Sequence, residues 1–248
     1  MRAVVLALVI LAQQGAQNCA CAGDITVYSP GIVNKPLTQL AQAWAAETGN
    51  KVTLAGFNVG RIRTAVAGDA PGDVVIAPAS DFTGFAPKLV PGSQRALGRV
   101  PFGLVVKAGG PHPDISSHAK FVAAIRQAGV LGFANPQVGS LTGGMVDDML
   151  KRPEFAGVER RPVKGLIGEA IARGDAPFGG GAITEEINVA GAEVVGPFPD
   201  DFGLHVDVSA AVLKTSANAS DAEEFLRYAT RPEAQPVWKA GGIMATPK

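Results

Sequence analysis

The feature that most restricts what this chain can fold into is an alternation near its start. Short apolar runs end in small residues and then give way to helical patterns. Residues 25–28 (Ile-Thr-Val-Tyr) carry β-branched and aromatic side chains, the composition of a buried strand. Ser29-Pro30-Gly31 breaks that run, and Leu37, Leu40, Ala41 and Trp44 then share one helical face. A second strand at 51–57 ends in Asn58-Val59-Gly60, before a helix through Ile62, Ala65 and Val66 that Gly68 stops. A third, at 73–77, is apolar enough to be buried on both faces and ends in Pro78-Ala79-Ser80. Strands that alternate with helices run parallel, so the sequence predicts an α/β fold of βαβ units.

Beyond these units, residues 99–107 and 130–134 read as strands, and 203–213 with Val194 and Val195 as strand material. Helices are expected at 119–127 (entered through Ser116 or Ser117), 145–150 and 221–230, with a helical segment at 164–173 after a basic loop. Residues 175–182 are glycine-rich, and a short segment surrounds Trp238. Four strand ends thus carry small or hydroxyl-bearing residues: 29–31, 58–60, 77–80 and 139–144. In open α/β sheets ligands lie beyond the carboxyl ends of the strands. Missing side chains let a ligand approach backbone N–H groups, and helix starts add partial positive charge, so such turns suit an anion. Ser29, Gly31, Asn58, Gly60, Ala79, Ser140 and Thr142 are therefore candidate ligand contacts. Arg61 joins them, because a cation opposes the dipole at a helix start and its fork matches a carboxylate; Arg63 follows it.

Composition narrows the function. Twenty-two basic and 22 acidic residues balance, leaving no electrostatic footprint for nucleic acid or anionic lipid. Residues 1–22 have the form of an export signal: Arg2, an apolar stretch at 3–12, and Ala20-Cys21-Ala22 as the cleavage site. Both cysteines fall within it, so the mature chain would have no disulfide, thiolate metal site or cysteine nucleophile. Removing 22 of 248 residues leaves about 225, enough for one large domain or two small lobes. His112, His118 and His205 lack metal-ligand spacing and read as surface residues. There is no nucleophile elbow, phosphate loop or dinucleotide fingerprint. Asp147-Asp148 and Glu185-Glu186 read as solvated faces.

Against that background the chain resembles the molybdate-binding-protein-like branch of periplasmic solute-binding proteins. The resemblance is carried by the export signal, the strand at 25–28 with its turn, and Gly68-Asp69-Ala70-Pro71-Gly72-Asp73, which is similar to the family's Gly-x-Pro-Ala-Asp run. Further matches are Phe133-Ala134-Asn135-Pro136, the 139–144 turn, the segment 178–185 and Ala240-Gly241-Gly242-Ile243. The resemblance implies a type II periplasmic binding protein: two Rossmann-like lobes joined by hinge strands, residues 23–100 with 206–248 forming lobe one and 101–205 lobe two. It implies hinges near 99–104 and 202–206, a small anion held between the lobes, contacts from Ile183 and Thr184, no cofactor, a monomer, and delivery to an ABC permease.

The departures bear on the ligand. Molybdate binders present serines in the first two turns and a late tyrosine. Here Gly31 stands near the first serine's place with Ser29 two residues earlier, the second turn is shortened and carries Arg61, and Ala182 lies about where the tyrosine would be. An arginine in the cleft fits an organic carboxylate better than a tetrahedral oxyanion. Resemblance to aconitate isomerase, a divergent member of the group, implies an alternative: a cofactor-free enzyme interconverting trans- and cis-aconitate. Arg61 and Arg63 would then clamp carboxylates, and Thr184 with Glu185, or a histidine, would be where to look for the base.

Overall fold

The computed structural model describes residues 23–246. The expected export signal and both cysteines lie outside them. Among the described residues nine strands form one continuous hydrogen-bonded system in two halves. The strands are β1 (Asp24–Ser29), β2 (Lys51–Gly56), β3 (Val74–Pro78), β4 (Arg95–Lys107), β5 (Val130–Ala134), β6 (Glu159–Val163), β7 (Phe178–Ala182), β8 (Ala192–Pro197) and β9 (His205–Val212). The helices are α1 (Asn34–Thr48), α2 (Val59–Ala67), α3 (Phe82–Phe85), α4 (His118–Ala128), α5 (Leu141–Leu150), α6 (Ile167–Arg173), α7 (Ile183–Glu186), α8 (Ala219–Thr230) and α9 (Gln235–Ala240).

The first half runs β2-β1-β3-β9-β4. β1 pairs in parallel with β2 and β3, as helix-connected strands must. β3 is buried throughout, as its unbroken apolar run requires. α1 buries Leu37, Leu40, Ala41 and Trp44 against this half, and the Trp44 indole meets Phe225 of α8 edge-on at 5.4 Å. Each of the two leucines contributes about 2 kcal/mol of burial. Asp73 fastens the crossing into β3. Its carboxylate accepts from the Thr26 N–H (2.8 Å), the Ser216 hydroxyl (2.6 Å) and the Asn218 N–H (3.4 Å).

The second half is built on the same long strand. Residues 95–101 of β4 pair with β9, while residues 102–106 pair with β7 and residues 103–107 with β8. The chain therefore passes from one half to the other inside β4, at Pro101 and Phe102. It returns through Phe198, whose N–H donates to the Phe102 carbonyl, and through Leu204, whose carbonyl accepts from Phe102. Beside this crossing, Arg99 grips Asp207 directly opposite it with two bonds of 2.7 and 2.9 Å.

Two strands differ from the sequence expectation. β6 occupies what reads as a basic loop, because Glu159, Arg160, Arg161 and Pro162 sit on an edge strand, where charge and proline guard the unpaired backbone. β7 is a central strand despite Gly179, Gly180 and Gly181. A Cβ on Gly179 or Gly181 would stand 2.4 or 2.3 Å from Ile167, so the side chains of α6 take the volume the glycines leave. α5 starts at Leu141 rather than 145, capped by Ser140. No helix among the described residues is long and apolar enough to cross a membrane.

Candidate functional site

Between the halves lies a cleft of about 400 Å³. Its first wall comes from the tips of β1 and β2: Pro30, Gly31, Ile32, Asn34, then Gly56, Phe57, Asn58 and Val59. Its second wall comes from the β5–α5 turn, residues 138–142, and from Glu185 of α7. The walls close together at two points. A Cβ on Gly139 would lie 3.2 Å from the Asn58 side-chain nitrogen, and one on Gly31 would lie 3.1 Å from a Glu185 carboxyl oxygen. Lys35 of α1 also reaches across, donating to the Ile187 carbonyl (2.6 Å) and the Glu185 carbonyl (3.3 Å).

The cap residues explain the chemistry of the walls. Asn58 Oδ1 accepts from the Arg61 N–H (2.9 Å), and Ser140 Oγ accepts from the Gly143 N–H (3.0 Å). Each cap satisfies one amide of its helix, and the earlier first-turn amides of α2 and α5 have no intrahelical acceptor. Gly143 is required here, since a Cβ would stand 1.8 Å from the Ala134 carbonyl oxygen. Thr142 is buried, with its hydroxyl 3.3 Å from Ser140 Oγ. Asn34 spends its amide oxygen on the Ser29 hydroxyl (3.0 Å), which leaves its NH₂ group as the free donor. Phe57, Ile32, Val59 and Leu141 supply apolar surface beside these donors. Amides, hydroxyls and an aromatic face suit a small organic anion.

Of the residues expected at the site, Gly31, Asn58, Ser140 and Thr142 line this cleft. The others sit elsewhere, each for a physical reason. Ser29 is fully buried beneath Asn34, which it orients. Gly60 is exposed on the first turn of α2, and Val59 lines the cleft in its place. Arg61 is not in the lining; its guanidinium stacks on Phe57, 4.5 Å from the ring centroid. Arg63 is held by Asp81 through two bonds of 3.0 and 2.9 Å. Ala79 is drawn off because the following Phe82 and Phe85 pack against Ile62 and Val66 on the far side of α2. Ile183 fills the space above Gly103, and Thr184 is buried against Gly242 with its hydroxyl unpartnered among the described residues.

The acidic pair of α7 corrects the expectation of a solvated face. α7 is a single turn following a central strand, packed on β4 and β8, so its residues meet protein on several sides. Glu185 faces the cleft, and burial raises its carboxyl pKa while Lys35 acts in the opposite direction. Glu186 is 2% exposed. One oxygen accepts from the Gly168 N–H (2.6 Å) and the other has no partner among the described residues. Burial, with the neighbouring Glu185, pushes its pKa up to about 7. The sequence reading missed Asn34 and Phe57 as lining residues, and it named Glu185 only beside Thr184 as a place to look for a base. Asn34 closes the very turn that begins with Ser29, which was the available signal. None of the histidines lines the cleft; His118 instead stacks on Phe202 at 4.2 Å and bonds Asp201.

Two α/β halves sharing crossing strands, with amide-lined tips facing one cleft, are the architecture of the type II periplasmic binding proteins. Residues 25–243 match the family of bacterial extracellular solute-binding proteins, and the chain belongs to that family. Its backbone is similar to a Clostridium difficile protein described as the substrate-binding domain of a molybdenum ABC transporter. The TM-score is 0.72 and the identity 14%, over 90% of this chain and 99% of that one. It is also similar to the periplasmic molybdate-binding protein of Azotobacter vinelandii, with a TM-score of 0.68 and 21% identity over 90% and 100% of the two chains. In sequence it is 26% identical over 235 residues to an aconitate isomerase from a Pseudomonas species, covering 90% of this chain and 88% of that one.

Proposed function

We propose that this chain is a periplasmic receptor that captures a small organic anion between two lobes and presents it, as a monomer, to an ABC permease. Lobe one is residues 23–100 with 206–248, and lobe two residues 101–205. The observation that carries the reading is the convergence of the β1, β2 and β5 tips, with the first turns of α2 and α5, on a single cleft. Closure then works by population shift: the closed form gains contacts from both walls when an anion is present. A thermal-shift screen of oxyanions and of mono-, di- and tricarboxylates tests it, because a ligand at a hundred times its dissociation constant adds about 2.7 kcal/mol of stability. The active compound should lose about tenfold in affinity in Ser140→Ala, while Arg61→Ala stays within about threefold of wild type. If no anion raises the melting temperature, the receptor reading falls.

A second reading, an aconitate-isomerase-like enzyme on the same scaffold, is favoured by the Pseudomonas relative together with a carboxyl group inside the cleft. A 1,3-shift of a proton along an unsaturated tricarboxylate needs one base near the carbon and donors for the carboxylates, and Glu185 would be that base. Conversion of trans- to cis-aconitate by the purified protein, lost in Glu185→Gln, would establish it. A silent assay returns the chain to the receptor reading.

A further inference from the structure

The walls of the cleft present amides and hydroxyls beside apolar surface, and Glu185 is the one carboxyl among them. Among the described residues that line it, Glu185 alone is ionisable. Its carboxyl has no hydrogen-bond donor from any described residue. It abuts the Gly31 tip across the cleft, so an anion lying on the amides at Val59 and at residues 141–142 meets this acceptor. An ionised carboxylate in that position repels a fully ionised oxyanion and accepts a hydrogen bond from one that still carries a proton or hydroxyl. We propose that Glu185 makes the site selective for anions that bring their own hydrogen-bond donor, monohydrogen oxyanions and hydroxycarboxylates, and rejects fully ionised oxyanions such as molybdate and sulfate. This rests on the anion-receptor reading and gives it a ligand class.

The surroundings make the selection responsive to acidity. Lys35 faces Glu185 from α1, with its ammonium committed to the Glu185 and Ile187 carbonyls. Glu186 adjoins it on α7, and Glu169 of α6 lies behind Glu186. Burial raises the carboxyl against the pull of Lys35. Once protonated, Glu185 is itself a donor, and the rejection of ionised oxyanions relaxes.

The cleanest probes are two pairs at pH 8 that differ in a hydrogen-bond donor: hydrogen phosphate against sulfate, and malate against succinate. Titration calorimetry on the mature wild-type protein should give a preference of about tenfold or more for the donor-bearing member of at least one pair. In Glu185→Gln that gap should shrink below about threefold. Sulfate, which keeps its charge, should bind wild type several-fold more tightly at pH 5.5 than at pH 8, and the Gln variant should not show this. The pH series on wild type stands even if the variant unfolds. Equal binding within both pairs, or a gap that survives in Glu185→Gln, overturns the Glu185 assignment and leaves the receptor intact. Failure of every probe to bind either protein overturns the receptor reading and this one together.

Discussion

Asp73 and Glu186 are both buried carboxylates, one in each half of the molecule, and they are treated in opposite ways. Asp73 sits where the chain enters β3, and three donors, one from β1 and two from the loop before α8, converge on it. Those donors tie β1, β3 and the approach to α8 into one unit. Glu186 receives a single N–H, keeps one bare oxygen, and is raised to about 7 by the loss of water around it. The first carboxylate is a fastener. The second is strained electrostatically, and it lies on the same turn that carries Glu185 into the cleft. The half that frames the β1 and β2 tips thus carries a fully satisfied buried carboxylate, whereas α7 carries one raised toward neutrality by burial.

That contrast is open to direct attack, beginning where the effect should be largest. Asp73→Ala strands three donors at once and should cost about 4 kcal/mol, read as a lowered urea midpoint at pH 7.5. A loss below about 1 kcal/mol would mean the network is ornamental. Glu186→Gln comes next. Because the folded-state pKa of Glu186 lies above its ordinary 4.5, the native protein binds more protons than the unfolded chain between about pH 4.5 and 7. Its contribution is complete below that window and is lost as pH rises through it, by about 3 kcal/mol. Stability measured from pH 4.5 to 8 should fall with this slope in wild type and flatten in Glu186→Gln, whose amide oxygen still accepts from Gly168. Identical slopes would place the titration elsewhere. The smallest effect should be that of Lys35→Met. It removes two bonds from an exposed ammonium and should lower stability by about 1 kcal/mol or less in thermal melts. A larger loss would make α7 as firmly anchored as the Asp73 crossing.

How much of this was legible beforehand depended on the range of the interactions involved. The first three strands were readable because apolar β-branched runs followed by turns and amphipathic helices state both periodicity and direction. β7 was not, because its glycines have low strand propensity and owe their place to Ile167, which comes from another element. At the site, Asn58 and Ser140 could be named because small or hydroxyl-bearing residues at a strand end are a local pattern, whereas their capping of α2 and α5 emerged only with the structure. Arg61 was misplaced because charge and position suggest a ligand, while the nearby ring of Phe57 offers the guanidinium a partner at no cost in reach. The Glu185-Glu186 pair was misread because adjacent acidic residues signal solvent in any local window, and nothing local reveals that α7 is enclosed by β4 and β8.

The sequence by itself determined the βαβ units and the small tips that end their strands, since each is a matter of residues a few positions apart. Which tips meet, and which carboxyl group stands among them, was decided by the passage of β4 from one half to the other. Segments more than a hundred residues apart face each other there, and burial and field at Glu185 arise from that meeting alone.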